Sequence, residues 1–119
     1  VANDGDEWSK SQLGVYADKK GVYIHHSDGV ILYIGQTTSG KWATFGERLR
    51  REFQKKASQN SPLYNLLLSQ KKPIRTIFLV LDEIDKLVNC DSNELQPFRK
   101  ALILEQVLIG MYSPEGNKI

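Results

Sequence analysis

The stretch from residue 21 to 35, GVYIHHSDGVILYIG, constrains this chain more than any other. Two runs rich in β-branched and aromatic residues flank Ser27-Asp28-Gly29, the pattern of an antiparallel hairpin. Loop length decides which side chains share a face, because a one-residue slip turns every side chain to the other side of the ribbon. A three-residue loop, with Ser27 and Asp28 in a type I turn and Gly29 left-handed, pairs His26 with Val30 and sets Tyr23 opposite Tyr33. A two-residue Asp28-Gly29 loop slips the register by one and parts the tyrosines. The three-residue loop is the expectation, with both phenols on one face.

The rest of the chain supplies helices and one more strand. Thr44 and Glu47 form a capping box, and Phe45, Leu49 and Phe53 recur every four residues, so a helix is expected over about 45 to 57. Arg48 and Glu52, four apart, flank that apolar stripe and fall at the seam between helix and sheet. A second helix begins near Ser61 with Pro62 at its first position, turns Leu63, Leu66 and Leu67 inward, and ends at Lys71-Lys72-Pro73. Residues 74 to 81, IRTIFLVL, read as a third, central strand followed by a long acidic loop. From about Glu94 to Met111 the chain reads as helix, with Ser92 or Asn93 as N-cap and Pro114 and Gly116 beyond its end. The expected class is α/β: a small three-stranded antiparallel sheet flanked by helices, in the order β-β-α-α-β-α. With 119 residues the chain fits one domain, assigned to 19–119 behind a polar N-terminal segment, 1–18. The chain starts without Met on the polar run Val1 to Ser11, as an excised fragment does.

Composition narrows the function classes. A formal charge of +2 and a pI near 8.7 suit a polyanionic partner without identifying one. Arg48, Arg50, Arg51, Lys55 and Lys56 crowd one segment and Lys71, Lys72 and Arg75 another, either a solvated face or a nucleic-acid patch. Cys90 is the only cysteine, which excludes an internal disulfide and a cysteine zinc cluster and points to a reducing compartment, cytoplasmic or, in a eukaryote, nuclear. No apolar run has membrane-spanning length, so no membrane partner is expected. His25 and His26 point to opposite faces of their strand and cannot share one ion; His25 shares the face of Tyr23. Trp42 reads as a core or staple residue at a helix entry, or as a base-stacking group.

One residue resists a bland reading. On the last helix Phe98, Leu102, Glu105, Ile109 and Tyr112 form a single stripe that should meet the core, with Glu105 in its middle. An unpaired carboxylate there costs several kcal/mol, so it must be protonated, ion-paired or bound to a metal. An internal ion pair and a functional role weigh equally on the pattern alone.

The hairpin also carries two triplets, Gly21-Val22-Tyr23 and, ten residues on from Tyr23, Tyr33-Ile34-Gly35. They resemble the GIY and YIG motifs of the GIY-YIG nuclease superfamily. An arginine on the next helix, a glutamate in a terminal apolar helix and an asparagine shortly after it complete the resemblance, which covers roughly residues 19 to 119. It implies a metal-dependent endonuclease hydrolysing phosphodiester bonds of DNA. By the same resemblance Tyr23 lies beside the attacking water, Tyr33 hydrogen-bonds near the scissile phosphate, and Arg48 holds that phosphate. Glu105 then ligates one divalent cation, Mg2+ or another such as Mn2+, that stabilises the departing 3′ oxygen, and Asn117 orients the site. Arg50, Arg51 and Lys55 are the candidates for contacts to the nucleic-acid backbone. Sequence choice is expected from an additional DNA-targeting domain or partner protein, because a small domain has few groups for base readout.

Two positions depart from the family pattern. Four residues after the arginine, where relatives often carry a tyrosine or histidine that assists the first tyrosine, this chain has Glu52. It either accepts a proton or pairs with Arg48, and both readings stay open. After the second triplet some members place a lysine, where this chain has Gln36 and, further on, Lys41. With Glu52 and His25 as supporting groups, the alternative to a nuclease is a catalytically weak or inactive nucleic-acid-binding module of the same fold, and a purely structural domain is a third class.

Overall fold

Every layer of the molecule packs on β1 (Gly21–Ser27). A computed structural model, which describes residues 10–37, 44–53, 61–87 and 97–118, sets β1 between β2 (Val30–Thr37) and β3 (Arg75–Val80) in an antiparallel sheet of order β2-β1-β3. The three-stranded antiparallel sheet is as expected, but β3 is an edge strand and β1 the central one. The reason lies in what each strand can bury. β1 is apolar or hydrogen-bonded on both faces, whereas β3 leaves Arg75 and Ile77 exposed. Gly21 permits the β1–β3 pairing, since a Cβ there would stand 1.9 Å from Leu79 O.

The hairpin differs from expectation in its loop and keeps the expected faces. Ser27 pairs with Val30, so Asp28 (φ 51°) and Gly29 (φ 79°) form a two-residue turn with both central residues left-handed. That turn alone would part the tyrosines. The register then shifts between His25 and His26: His26 pairs with Ile31 and His25 with Tyr33, leaving Leu32 as the extra residue of a β-bulge. The bulge restores parity. Tyr23 lies across from Gly35 rather than Tyr33, and the two phenol rings share one face as diagonal neighbours, 6.1 Å between centroids. It also turns consecutive residues the same way, so that Leu32 and Tyr33 both pack in the cluster around Tyr23.

Two hydrophobic layers cover the sheet. On the Tyr23 face lie Phe45, Leu49 and Phe53 of α1 (Phe45–Phe53) and Leu63 and Leu67 of α2 (Ser61–Leu68), all buried. Thr44 Oγ1 accepts from Glu47 N at 3.3 Å, the expected cap. The first two helical N–H groups are satisfied by the preceding chain, Phe45 N donating to Lys19 O and Gly46 N to Ala17 O, each at 2.9 Å. With Leu13 of the 3₁₀ turn Lys10–Tyr16 buried in the same cluster, residues just ahead of β1 are part of this layer.

On the opposite face Val22, Ile24 and Ile34 pack with Ile84 of α3 (Leu81–Leu87) and Ala101 of α4 (Pro97–Tyr112). A helix, α3, stands where a loop was expected directly after β3. The inward stripe of α4 is also corrected. Ala101, Leu104, Leu108 and Ile109 face the sheet, while Leu102 is 38% and Tyr112 53% exposed. Apolar residues occupy nearly the whole circumference of this helix, so their spacing could not choose the buried side. Glu105, one turn from both Ala101 and Ile109, stays on the inward side and is half-buried. Among the described residues no helix is long and apolar enough to cross a membrane. Residues 54–57 of the first expected helix, together with Lys41, Trp42, Lys55, Lys56, Cys90, Ser92, Asn93 and Glu94, lie outside the described residues.

The close β1–β3 approach yields a stability prediction. Gly21→Ala is expected to cost at least about 1–3 kcal/mol, as overpacking against rigid backbone does, measured as a lower midpoint in urea. An unchanged midpoint would contradict the β1–β3 pairing.

Candidate active site

The sheet face under α1 holds a buried polar cluster in an otherwise apolar layer. Strand alternation puts Tyr23 and His25 on this face, and they are 1% and 0% exposed. The helical period brings Glu52 of α1 down onto them, itself 6% exposed. One carboxylate oxygen, Oε2, accepts from the Tyr23 hydroxyl, and the other, Oε1, accepts from His25 Nε2 at 2.7 Å. An ionised carboxylate only accepts, so Nε2 carries a proton. In the neutral ring Nδ1 is then the acceptor, and the Thr76 hydroxyl on β3, 2.9 Å away, donates to it. Phe53 closes the cluster edge-on to the imidazole at 5.1 Å. Of the two readings left open for Glu52, the geometry realises contact with Tyr23; its second partner is His25, not Arg48.

Glycine at position 35 has a spatial cause. A Cβ there would stand 2.4 Å from both Cζ and Oη of Tyr23, so the phenol lies across a strand position that must lack a side chain. Burial, followed by the charge of Glu52, raises the Tyr23 pKa well above its usual value. Tyr33, half-buried, is pushed up to about 12 by burial and then by the charges of Glu52 and Glu105, with Arg48 and the neighbouring Tyr23 hydroxyl opposing. Neither phenol ionises near neutral pH under these influences.

Arg48 sits one turn before Glu52 on α1 and is half-buried. Among the described residues its guanidinium has no hydrogen bond or ion pair, Glu52 included, yet its positive charge acts on Tyr23, Tyr33 and Glu105 together. Glu105 arrives from the other layer. α4 packs against the face opposite Tyr23, and β2, as an edge strand, brings the Glu105 charge within range of Tyr33 and Arg48. Partial burial raises the Glu105 pKa, with Gln106 and Arg48 opposing. Gln106 Nε2 donates to Glu105 Oε1 at 3.0 Å, and Oε2 has no hydrogen-bond partner among the described residues. A lone carboxylate with a free oxygen suits a hard cation that keeps most of its waters, as magnesium does.

Asn117 follows α4 in the 3₁₀ turn Glu115–Asn117 and brackets the peptide of Ile34, accepting from Ile34 N at 2.9 Å and donating to Ile34 O at 2.8 Å. The side-chain amide thereby pairs with the free edge of β2 next to Tyr33. Its neighbour Gly116 lies so close that a Cβ would be 2.5 Å from Leu32 O. Arg50 is held by Glu47 on its own helix, Nη2 to Oε2 at 3.1 Å, while Arg51 is half-buried and Lys55 lies outside the described residues.

Neither a protein-family model nor a curated protein matches the chain. Solved structures do match: the GIY-YIG N-terminal endonuclease domain of UvrC from Thermotoga maritima bound to magnesium is 24% identical, at a TM-score of 0.54, covering 90% of this chain and 92% of that one. An asparagine-to-alanine form of the same domain, bound to its catalytic divalent cation, gives 24% and 0.54 over 90% and 91% of the chains, and a tyrosine-to-phenylalanine form gives 23% and 0.54 over the same shares. This chain has a GIY-YIG fold.

Within the GIY-YIG fold, Tyr23, Tyr33, His25 and Glu52 meet on one sheet face, Arg48 and Glu105 reach them electrostatically, and Asn117 reaches the Tyr33 strand. Thr76 is the site neighbour that sequence reasoning missed. A threonine in a strand carries no signal of its own, and only the pairing of His25 with Thr76 reveals it.

The raised phenol has a sign that can be checked. A folded pKa of about 12 against an ordinary 10.0 makes the neutral Tyr33 phenol a stabilising group below about pH 10, and that contribution is lost as pH rises toward 12. The difference in phenolate absorbance between the parent and Tyr33→Phe is expected to be a step centred near 12 rather than 10. A step at 10 would place Tyr33 in solvent. Asn117→Ala, which strands two edge groups of β2, is expected to lower stability by about 1–3 kcal/mol in urea unfolding.

Proposed function

We propose that the chain is a metal-dependent endonuclease that hydrolyses phosphodiester bonds of DNA. The observation that carries the reading is the position of Arg48: a guanidinium without an ion-pair partner among the described residues, whose charge acts on two tyrosines and a carboxylate from three other elements. Such a group is poised for an anion that the described residues do not supply, and a phosphodiester is the anion a guanidinium fork fits best. The likeness to endonuclease domains holding a catalytic divalent cation supports the same reading.

In this mechanism Arg48 binds the non-bridging oxygens of the scissile phosphate and stabilises the charge that builds on them in the transition state. Tyr33 donates a hydrogen bond to the phosphate or to the water beside it, which its raised pKa favours by keeping the phenol protonated. Tyr23 lies beside the attacking water. Glu105 would hold a divalent cation, magnesium or manganese, which would supply charge stabilisation for the departing 3′ oxygen. Asn117 acts by fixing the edge of the Tyr33 strand. Arg51 and Lys55 contribute contacts to the DNA backbone, and Arg50 does so against the competing charge of Glu47. Sequence or structure choice comes from a further domain or partner.

The experiment is nicking of supercoiled plasmid with magnesium. The parent is expected to nick, chelation to stop it, and Arg48→Ala to slow it roughly 10²–10³-fold, the range for loss of one transition-state donor. Glu105→Gln is expected to abolish both nicking and the heat of magnesium binding. Salt-sensitive DNA binding without nicking would instead establish the inactive binding module.

A further inference from the structure

The buried cluster beneath α1 contains more proton chemistry than a structural role uses. Three hydrogen bonds run in series through side chains of three elements: Thr76 on β3, His25 and Tyr23 on β1, and Glu52 on α1. The geometry points to a proton relay in which Glu52, oriented by His25 and Thr76, is the final acceptor of the water proton and Tyr23 is the conduit to it. This inference rests on the endonuclease reading above and names the groups behind Tyr23.

The chemistry begins with the phenol. A tyrosine that removes a proton from water must either exist as phenolate or surrender its own proton as it takes the new one. Burial and the adjacent carboxylate oppose the phenolate, and the single cation acting against them, Arg48, is outweighed. The second route remains, and the carboxylate that accepts from the Tyr23 hydroxyl is Glu52, through Oε2. The other oxygen of that carboxylate is held at 2.7 Å by His25 Nε2, which keeps the acceptor lone pair of Oε2 on the phenol. The carboxylate keeps the proton on Nε2, and Thr76, 2.9 Å from Nδ1, holds the imidazole from its other side. His25 and Thr76 are thus positioning residues acting through Glu52, and Glu52 acts through Tyr23.

The step balances. The oxygen of a water forms a bond to phosphorus as one of its protons passes to the Tyr23 oxygen. The original Tyr23 proton moves to Glu52 Oε2. The bond from phosphorus to the 3′ oxygen breaks, and that oxygen takes a proton from solvent. Glu52 later returns its proton to solvent, leaving the chain as it began. The groups around this path are Tyr33 on β2, Arg48 on α1 and His25 on β1, with Glu105 of α4 acting on Tyr33.

Single-turnover nicking of plasmid by the parent, Glu52→Gln, Tyr23→Phe and the double variant tests the relay. Glutamine keeps the shape and can still accept from Tyr23 but cannot take a proton. Glu52→Gln is expected to slow cleavage by about 10²-fold or more, with magnesium binding and the apparent DNA affinity unchanged, and the double variant to be no slower than the slower single one. A loss below about tenfold, or losses that multiply in the double variant, would overturn the relay. His25→Gln should lower the rate constant and leave the KM for DNA unchanged; the reverse split counts against its positioning role. Because buried variants can lose stability, the parent alone supplies a second reading, its cleavage rate in mixtures of H2O and D2O. Two protons moving in one step curve that plot, and a straight line contradicts the relay. If the parent fails to nick, or nicks independently of Glu105, the endonuclease reading itself has failed; the relay fails alone when Glu105-dependent nicking survives Glu52→Gln at full rate.

Discussion

The Glu52 carboxylate is the contact on which the arrangement of this molecule turns. It is buried in an apolar seam, and its two oxygens are satisfied by side chains of the central strand, Tyr23 on one and His25 on the other. Removing either partner leaves a buried charge partly uncompensated, which costs several kcal/mol, so α1 is locked in rotation about its own axis against β1. Arg48, one turn earlier, inherits its placement from that lock. The same bond that stabilises the helix–sheet packing therefore aims the guanidinium at the site.

The second constraint is the parity of the hairpin. A tight left-handed turn at Asp28-Gly29 matches the twist of the strands, yet carried through an unbroken ladder it would place Tyr33 on the face away from Tyr23. One extra residue at Leu32 reverses that outcome, and the consequence extends to packing, since Leu32 fills the layer beside the phenols. Gly35 completes the arrangement by yielding its side-chain volume to Tyr23. Thus turn, bulge and glycine act together to put two aromatic hydroxyls side by side.

Glu105 reaches the site by topology rather than by direct packing. Its helix covers the opposite face, and a carboxylate beneath the middle of the sheet would be cut off from Tyr33. The edge position of β2 removes that obstacle, and Asn117 closes the same edge by pairing with both backbone groups of Ile34. The candidate site therefore lies where two layers meet along one strand edge, with an apolar core on either side.

Local chemistry in the sequence determined the hairpin, the capped helix at Phe45, the proline-led helix at Ser61, and the joint placement of Arg48 and Glu52 at a helix–sheet seam. It also marked Tyr23, Tyr33, Glu105 and Asn117, the first two within a pair of short triplets and the others by their order along the chain after them. Tertiary structure alone decided that β1 is central, that a bulge rather than a longer loop aligns the tyrosines, and that α4 buries Ala101 and Leu104 instead of Leu102. It alone joined Glu52 to His25 and Thr76. The division has one cause: caps, turns and helical periods are set by residues a few positions apart. Strand order, register and the buried side of an all-round apolar helix depend on partners distant in the chain, as His25 depends on groups 27 and 51 residues away, and no local pattern encodes them.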